Sequence, residues 1–114
     1  MPVLKNKLTR SAVPVLAILA LLLLGAQPKG QTHAVTIQGM QFSPAAMQIK
    51  AGDTVIWTNA DDRDHTVIAT DGSFNSGNLP SGQSFQHQFP TPGNFSYFCK
   101  YHPRMKGTII VAAK

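Results

Sequence analysis

Tyr97-Phe98-Cys99-Lys100-Tyr101-His102-Pro103-Arg104-Met105-Lys106-Gly107 is the stretch on which the reading of this chain turns, because Cys99, His102 and Met105 recur at even three-residue intervals. Thiolate, imidazole and thioether together suit a soft, redox-active ion. A copper site of the His₂Cys type with a weak axial Met then lacks only one more histidine. His65, in Asp61-Asp62-Arg63-Asp64-His65-Thr66-Val67, is the natural supplier. A strand ending at Cys99 fixes that residue. Lys100 and Tyr101 can turn the chain so that His102 faces the same point, and Pro103 and Arg104 bring Met105 round. The pattern predicts one copper ion held by His65, Cys99, His102 and Met105, with no catalytic residue.

Working outward, 114 residues leave room for one domain. The first 26 read as a signal peptide: Lys5, Lys7 and Arg10 precede an apolar run from Ala12 to Ala26. As a helix that run would reach ~22 Å, short of the ~30 Å hydrocarbon core. Leu24-Gly25-Ala26 matches an A-x-A cleavage site poorly, and an uncleaved leader would tether the same domain to the outer face of a membrane. The expected location is the periplasm or another exported compartment. Without residues 1 to 26 the chain keeps seven Lys and Arg against five Asp, a net charge of +2. So slight an excess, with no basic stripe or base-stacking motif, argues against nucleic acid as partner. Cys99 is the single cysteine, so an exported chain has no internal disulfide partner for it, and its setting beside a histidine and a methionine favours ligation.

Residues 27 to 33 are polar and turn-forming and read as a flexible lead-in, with the domain spanning 34 to 114. Alternation of apolar and polar side chains marks strands from Ala34 to Phe42 and through Met47 and Ile49, and β-branched and aromatic residues mark a central strand from Thr54 to Asn59, with Trp57 expected in the core. Further strands are expected over His65–Thr70, around Phe85, His87 and Phe89, around Phe95, Tyr97 and Cys99, and over Gly107–Ala112. The Ser, Asn, Gly and Pro between Asp71 and Gly82 make the longest irregular connection. No sustained helical period occurs, and seven or eight short strands with these turn signals predict an all-β sandwich. Asp61, Asp62 and Asp64 read as a solvated loop. His33 at the frayed start of the domain and His87 on a strand face with two Phe are not expected to be ligands. Met40 and Met47 belong to the core or to a surface patch.

Val55-Ile56-Trp57-Thr58-Asn59, the Asp-rich loop, His65-Thr66-Val67, Tyr97-Phe98-Cys99 and the C-x-x-H-x-x-M loop running into Gly107-Thr108-Ile109 resemble the cupredoxins. The loop spacing is most similar to the amicyanin and plastocyanin-like branch, and to amicyanins within it. The resemblance implies a Greek-key β-sandwich with a type 1 copper site, His65, Cys99 and His102 equatorial and Met105 axial. It also implies a monomeric carrier of single electrons without a small-molecule substrate. Redox partner proteins would dock near His102, Pro103 and Arg104, on an apolar patch including Met40 and Phe42. Thr66 stands where many relatives carry an Asn that braces the ligand loop, so a looser or rewired bracing is expected. Arg104 stands where an apolar residue is common.

Other functions are less well supported. A copper-binding or delivery module without a redox partner would use the same ligands in a more labile site. A multicopper oxidase or nitrite reductase needs further centres built from extra histidines, and the chain has no His-x-His pair. A binuclear copper domain needs a second cysteine.

Overall fold

Alternating side chains build eight strands in the computed structural model, which describes residues 30–114. They are β1 (Thr32–Gln38), β2 (Gln41–Ser43), β3 (Ala46–Lys50), β4 (Thr54–Asn59), β5 (Ile68–Ala69), β6 (Ser84–Gln88), β7 (Gly93–Cys99) and β8 (His102–Ala112). The expected signal peptide lies outside the described residues, among which no helix is long and apolar enough to cross a membrane.

Two four-stranded sheets form, in the orders β2-β1-β4-β6 and β3-β8-β7-β5. Each is mixed: β1 pairs with β4 and β3 with β8 in parallel, and the remaining pairs are antiparallel. This is the expected all-β sandwich. The period of two sends Val35, Ile37, Val55 and Trp57 inward from one sheet and Ile49, Tyr97, Ile109 and Val111 inward from the other. Trp57 is fully buried at the centre, its ring 5.4 to 6.4 Å from those of Tyr97, Phe74, Phe85 and Phe89. Gly107 is required opposite Tyr97, because a Cβ there would overlap the phenol ring and its hydroxyl. Burial pushes the Tyr97 phenol up to about 12, an effect that the nearby Trp57 indole only partly offsets.

Three sequence expectations need correction. The lead-in does not extend to residue 33. β1 starts at Thr32, and His33 is held rather than frayed, its Nε2 2.9 Å from Asp53 Oδ2. The strand expected over His65–Thr70 shrinks to Ile68–Ala69, and His65 pairs instead with Leu79 of the following connection, whose Asn75 also bridges to Ile68. The final strand begins at His102 rather than Gly107.

Asp53 closes the end of the sandwich away from Cys99. Its carboxylate accepts hydrogen bonds from the Gln31 and Lys50 amides and pairs with His33. The Gln31 amide, then His33 and the Lys50 amide, lower its pKa to about 2. A depressed carboxyl contributes stability that is fully present above its unfolded value and is lost as pH falls through the folded one. In the metal-free protein, Asp53 should therefore make stability fall between about pH 4 and about 2. Chemical denaturation across that window should find a flatter profile in Asp53→Asn, and an unchanged slope would count against the clamp.

Candidate metal centre

Cys99 ends β7, and the chain reverses through Lys100 and Tyr101 to pair Cys99 with His102. One residue earlier on β7, Phe98 pairs with Lys106. Between those two pairs β7 advances by one residue, whereas β8 must accommodate Pro103, Arg104 and Met105. A bulge of this kind breaks the ladder and re-aims side chains. Met105 turns inward and is buried, while Pro103 and Arg104 remain exposed. The two-residue turn expected after Cys99 is present, and the stretch beyond it is a bulged strand rather than a free loop.

His65 arrives from the β4–β5 connection. Its backbone N–H and C=O both pair with Leu79, at 3.1 and 2.8 Å. His65 and Cys99 are both fully buried, and His65 Nδ1 lies 3.7 Å from Cys99 Sγ. That separation is close to what two donors bound at ~2.0 and ~2.3 Å to one first-row ion would show. The His102 ring, half-buried, meets that of His65 edge to face with centroids 5.5 Å apart. Among the described residues no three His, Cys, Asp or Glu side chains form a closed metal cage. Of the four candidate ligands, His65 and Cys99 are the pair brought within 3.7 Å of each other. The Thr66 amide points at Cys99 Sγ from 3.4 Å, a contact that stabilises a thiolate over a thiol.

The polar wiring behind His65 escaped the sequence reading. Asp61 is not part of a solvated loop: its side chain is 13% exposed, against 95% for Asp62. Asp61 Oδ2 lies 2.8 Å from His65 Nε2 and also accepts from the Met40 amide, while Oδ1 accepts from the Gly39 amide. Desolvation works to raise this carboxyl, but the bonds from Met40, His65 and Gly39 outweigh it and hold the group below its ordinary value. An ionised acceptor at Nε2 puts the ring proton there and leaves Nδ1 as a lone pair facing the thiol. Asn59, also fully buried, donates to the Arg63 and Leu79 carbonyls and accepts from the Asp61 amide, which fixes the loop carrying Asp61. No periodic signal in the sequence separates Asp61 from its neighbours. Only the approach of the β1–β2 turn selects it.

Thr66, expected to brace less well than Asn, accepts the Lys100 amide on Oγ1 at 2.9 Å. Met40 is half-buried, with φ at 61°, in a turn that shares Asp61 with His65. Phe42 does not belong to a surface patch. It is 3% exposed and packs on Tyr97 with ring centroids 4.7 Å apart. His87 lies between the rings of Phe74 and Phe89, each 4.8 Å away, and burial lowers its pKa.

Residues 11–111 match the family model of the cupredoxin-like domain. The chain belongs to that family. It is 36% identical to amicyanin-alpha of Methylorubrum extorquens over 89% of this chain and 88% of that one. It is 36% identical to plastocyanin of Scenedesmus fuscus over 61% of this chain and 85% of that one. Among solved structures, a novel purple cupredoxin from Nitrosopumilus maritimus superposes with a TM-score of 0.64 at 31% identity, covering 70% of this chain and 99% of that one.

Removal of the Asp61 carboxylate strands the buried His65 N–H and two turn amides. An unsatisfied buried donor costs about 1–3 kcal/mol. Asp61→Ala should lower the unfolding free energy of the metal-free cupredoxin by about that much. Asp61→Asn, which keeps one oxygen acceptor, should lose less. Equal losses in the two variants by denaturant titration would contradict this account of the carboxylate.

Proposed function

We propose that this cupredoxin is an exported blue copper protein that carries single electrons between redox partner proteins. His65, Cys99, His102 and Met105 would hold the copper ion. The observation that carries the reading is the sealed approach of Cys99 Sγ to His65 Nδ1, with the His102 ring edge-to-face on that of His65. A bound copper ion there supplies a one-electron Cu(II)/Cu(I) couple. The chain's own residues set the conditions for it. His65 and Cys99 exclude water, Asp61 holds the proton of His65 on Nε2, and the Thr66 amide faces the sulfur. Because β7, β8 and the Leu79 pairing fix the backbone on either side, the donors need little rearrangement when the charge of the ion changes. His102, the half-buried member, offers the route outward. The basic, apolar leader supports export.

Copper loading tests the reading directly. Cu(II) should give an intense visible thiolate absorption and a reversible one-electron wave, both lost in Cys99→Ser. A pale wild-type protein, or colour surviving in the variant, would overturn the assignment. A colourless Cu(I) complex without a redox wave would favour a delivery module.

Partners are proposed to dock over His102, Pro103 and Arg104. Lys100, Arg104 and Lys106 are all exposed around this bulge, so the approach of an anionic surface should be steered by charge. Oxidation of the reduced copper protein by ferricyanide should slow as ionic strength rises. Rates independent of salt would remove the basic rim from the docking argument.

A further inference from the structure

The side chains on the outer surface of the site form a chain of their own. Tyr101 Oη donates to Asn78 Oδ1 at 2.8 Å, and Asn78 Nδ2 donates to Asp64 Oδ2 at 3.1 Å. Tyr101 immediately precedes His102, and Asp64 immediately precedes His65. Asn78 itself precedes Leu79, whose backbone pairs with that of His65 through both of its polar groups. Three separate stretches of chain are thus tied at one point: the turn after β7, the β4–β5 connection and the β5–β6 connection. Tyr101 is 44% exposed, one of the two exposed large apolar side chains among the described residues. Apart from the Lys100 ammonium 5.6 Å from its ring centroid, the bond from its hydroxyl to Asn78 is what holds it in place.

On the inner side the same turn has a single side-chain tie, from the Lys100 amide to Thr66 Oγ1. A threonine hydroxyl is short and rotates about one bond, so it reaches no further than Lys100, and this bond opens whenever Tyr101 and His102 swing away. We propose that Asn78 is a positioning residue, and that with Tyr101 and Asp64 it forms an outer strap holding His102 against His65. The role of His102 as a ligand rests on the copper reading above; the existence of the strap does not. The strap complements Thr66, with one tie inside the turn and one outside it.

Because Tyr101 and Asn78 are links of the same chain, cutting either should have the same effect, and cutting both should add nothing. The first measurement is amide hydrogen exchange in the metal-free protein, read at the Lys100 N–H. Tyr101→Phe and Asn78→Ala should each accelerate that exchange about threefold to tenfold, the range one hydrogen bond spans. The double variant should match the single ones, and the amides of β1 and β4 should stay as protected as before. The second measurement is the visible spectrum and midpoint potential of the copper-loaded variants. Both singles should shift them in the same direction and to the same extent, which a purely structural loss would not do. Unchanged exchange at Lys100 in either variant, additive effects in the double, or equal acceleration in β1 and β4 would each overturn the strap. If the protein takes up no copper, the functional reading fails while the exchange measurement still decides the strap.

Discussion

Cys99 Sγ and His65 Nδ1 sit 3.7 Å apart with both side chains sealed from water. Holding an imidazole and a thiol in that relation without solvent is costly unless their remaining polar atoms are satisfied. The surrounding structure meets that cost from two directions. Cys99 is anchored by β7, whose Tyr97 and Phe95 run back into the aromatic core around Trp57. His65 is anchored by backbone pairing with Leu79 and by a carboxylate at its far nitrogen. Neither anchor includes His102 or Met105, which come in afterwards on the bulge that separates Cys99 from Phe98 in the β7–β8 pairing.

The second consequence is that loops at this end behave as part of the core. The 71–82 connection is irregular in backbone but not free: it buries Phe74 and Leu79 and hydrogen-bonds to Val67, Ala69 and His65. The β1–β2 turn, with both Gly39 and Met40 at positive φ, aims two successive amides at Asp61. Left-handed backbone is uncommon for a residue such as Met, and the bond to Asp61 is what the turn gains from it. Through that carboxylate the turn is connected to the ring of His65. Thr66, which serves both the sulfur and the Lys100 amide, makes a third such connection from the centre. The end of the sandwich is thus a small hydrogen-bonded unit laid over an apolar one.

The chain by itself determined the periodic parts. Alternation marked the strand faces of β1 and β7, β-branched and aromatic residues marked β4 with Trp57 in the core, and the spacing of Cys99, His102 and Met105 called for a further histidine, His65, which the fold brings 3.7 Å from Cys99. These features are local: a period of two and a three-residue interval can be read without knowing what lies opposite. Tertiary structure decided the rest. Asp61 is set apart from Asp62 and Asp64 only because the β1–β2 turn approaches it, Phe42 is inside because Tyr97 lies across from it, and β8 starts at His102 because Cys99 pairs there. The same is true of Tyr101, Asn78 and Asp64, which meet from three distant parts of the sequence. Hydrogen bonds to buried polar groups depend on which segments come within ~3 Å of each other, and that distance is set by the packing of two sheets, which no single stretch of residues encodes.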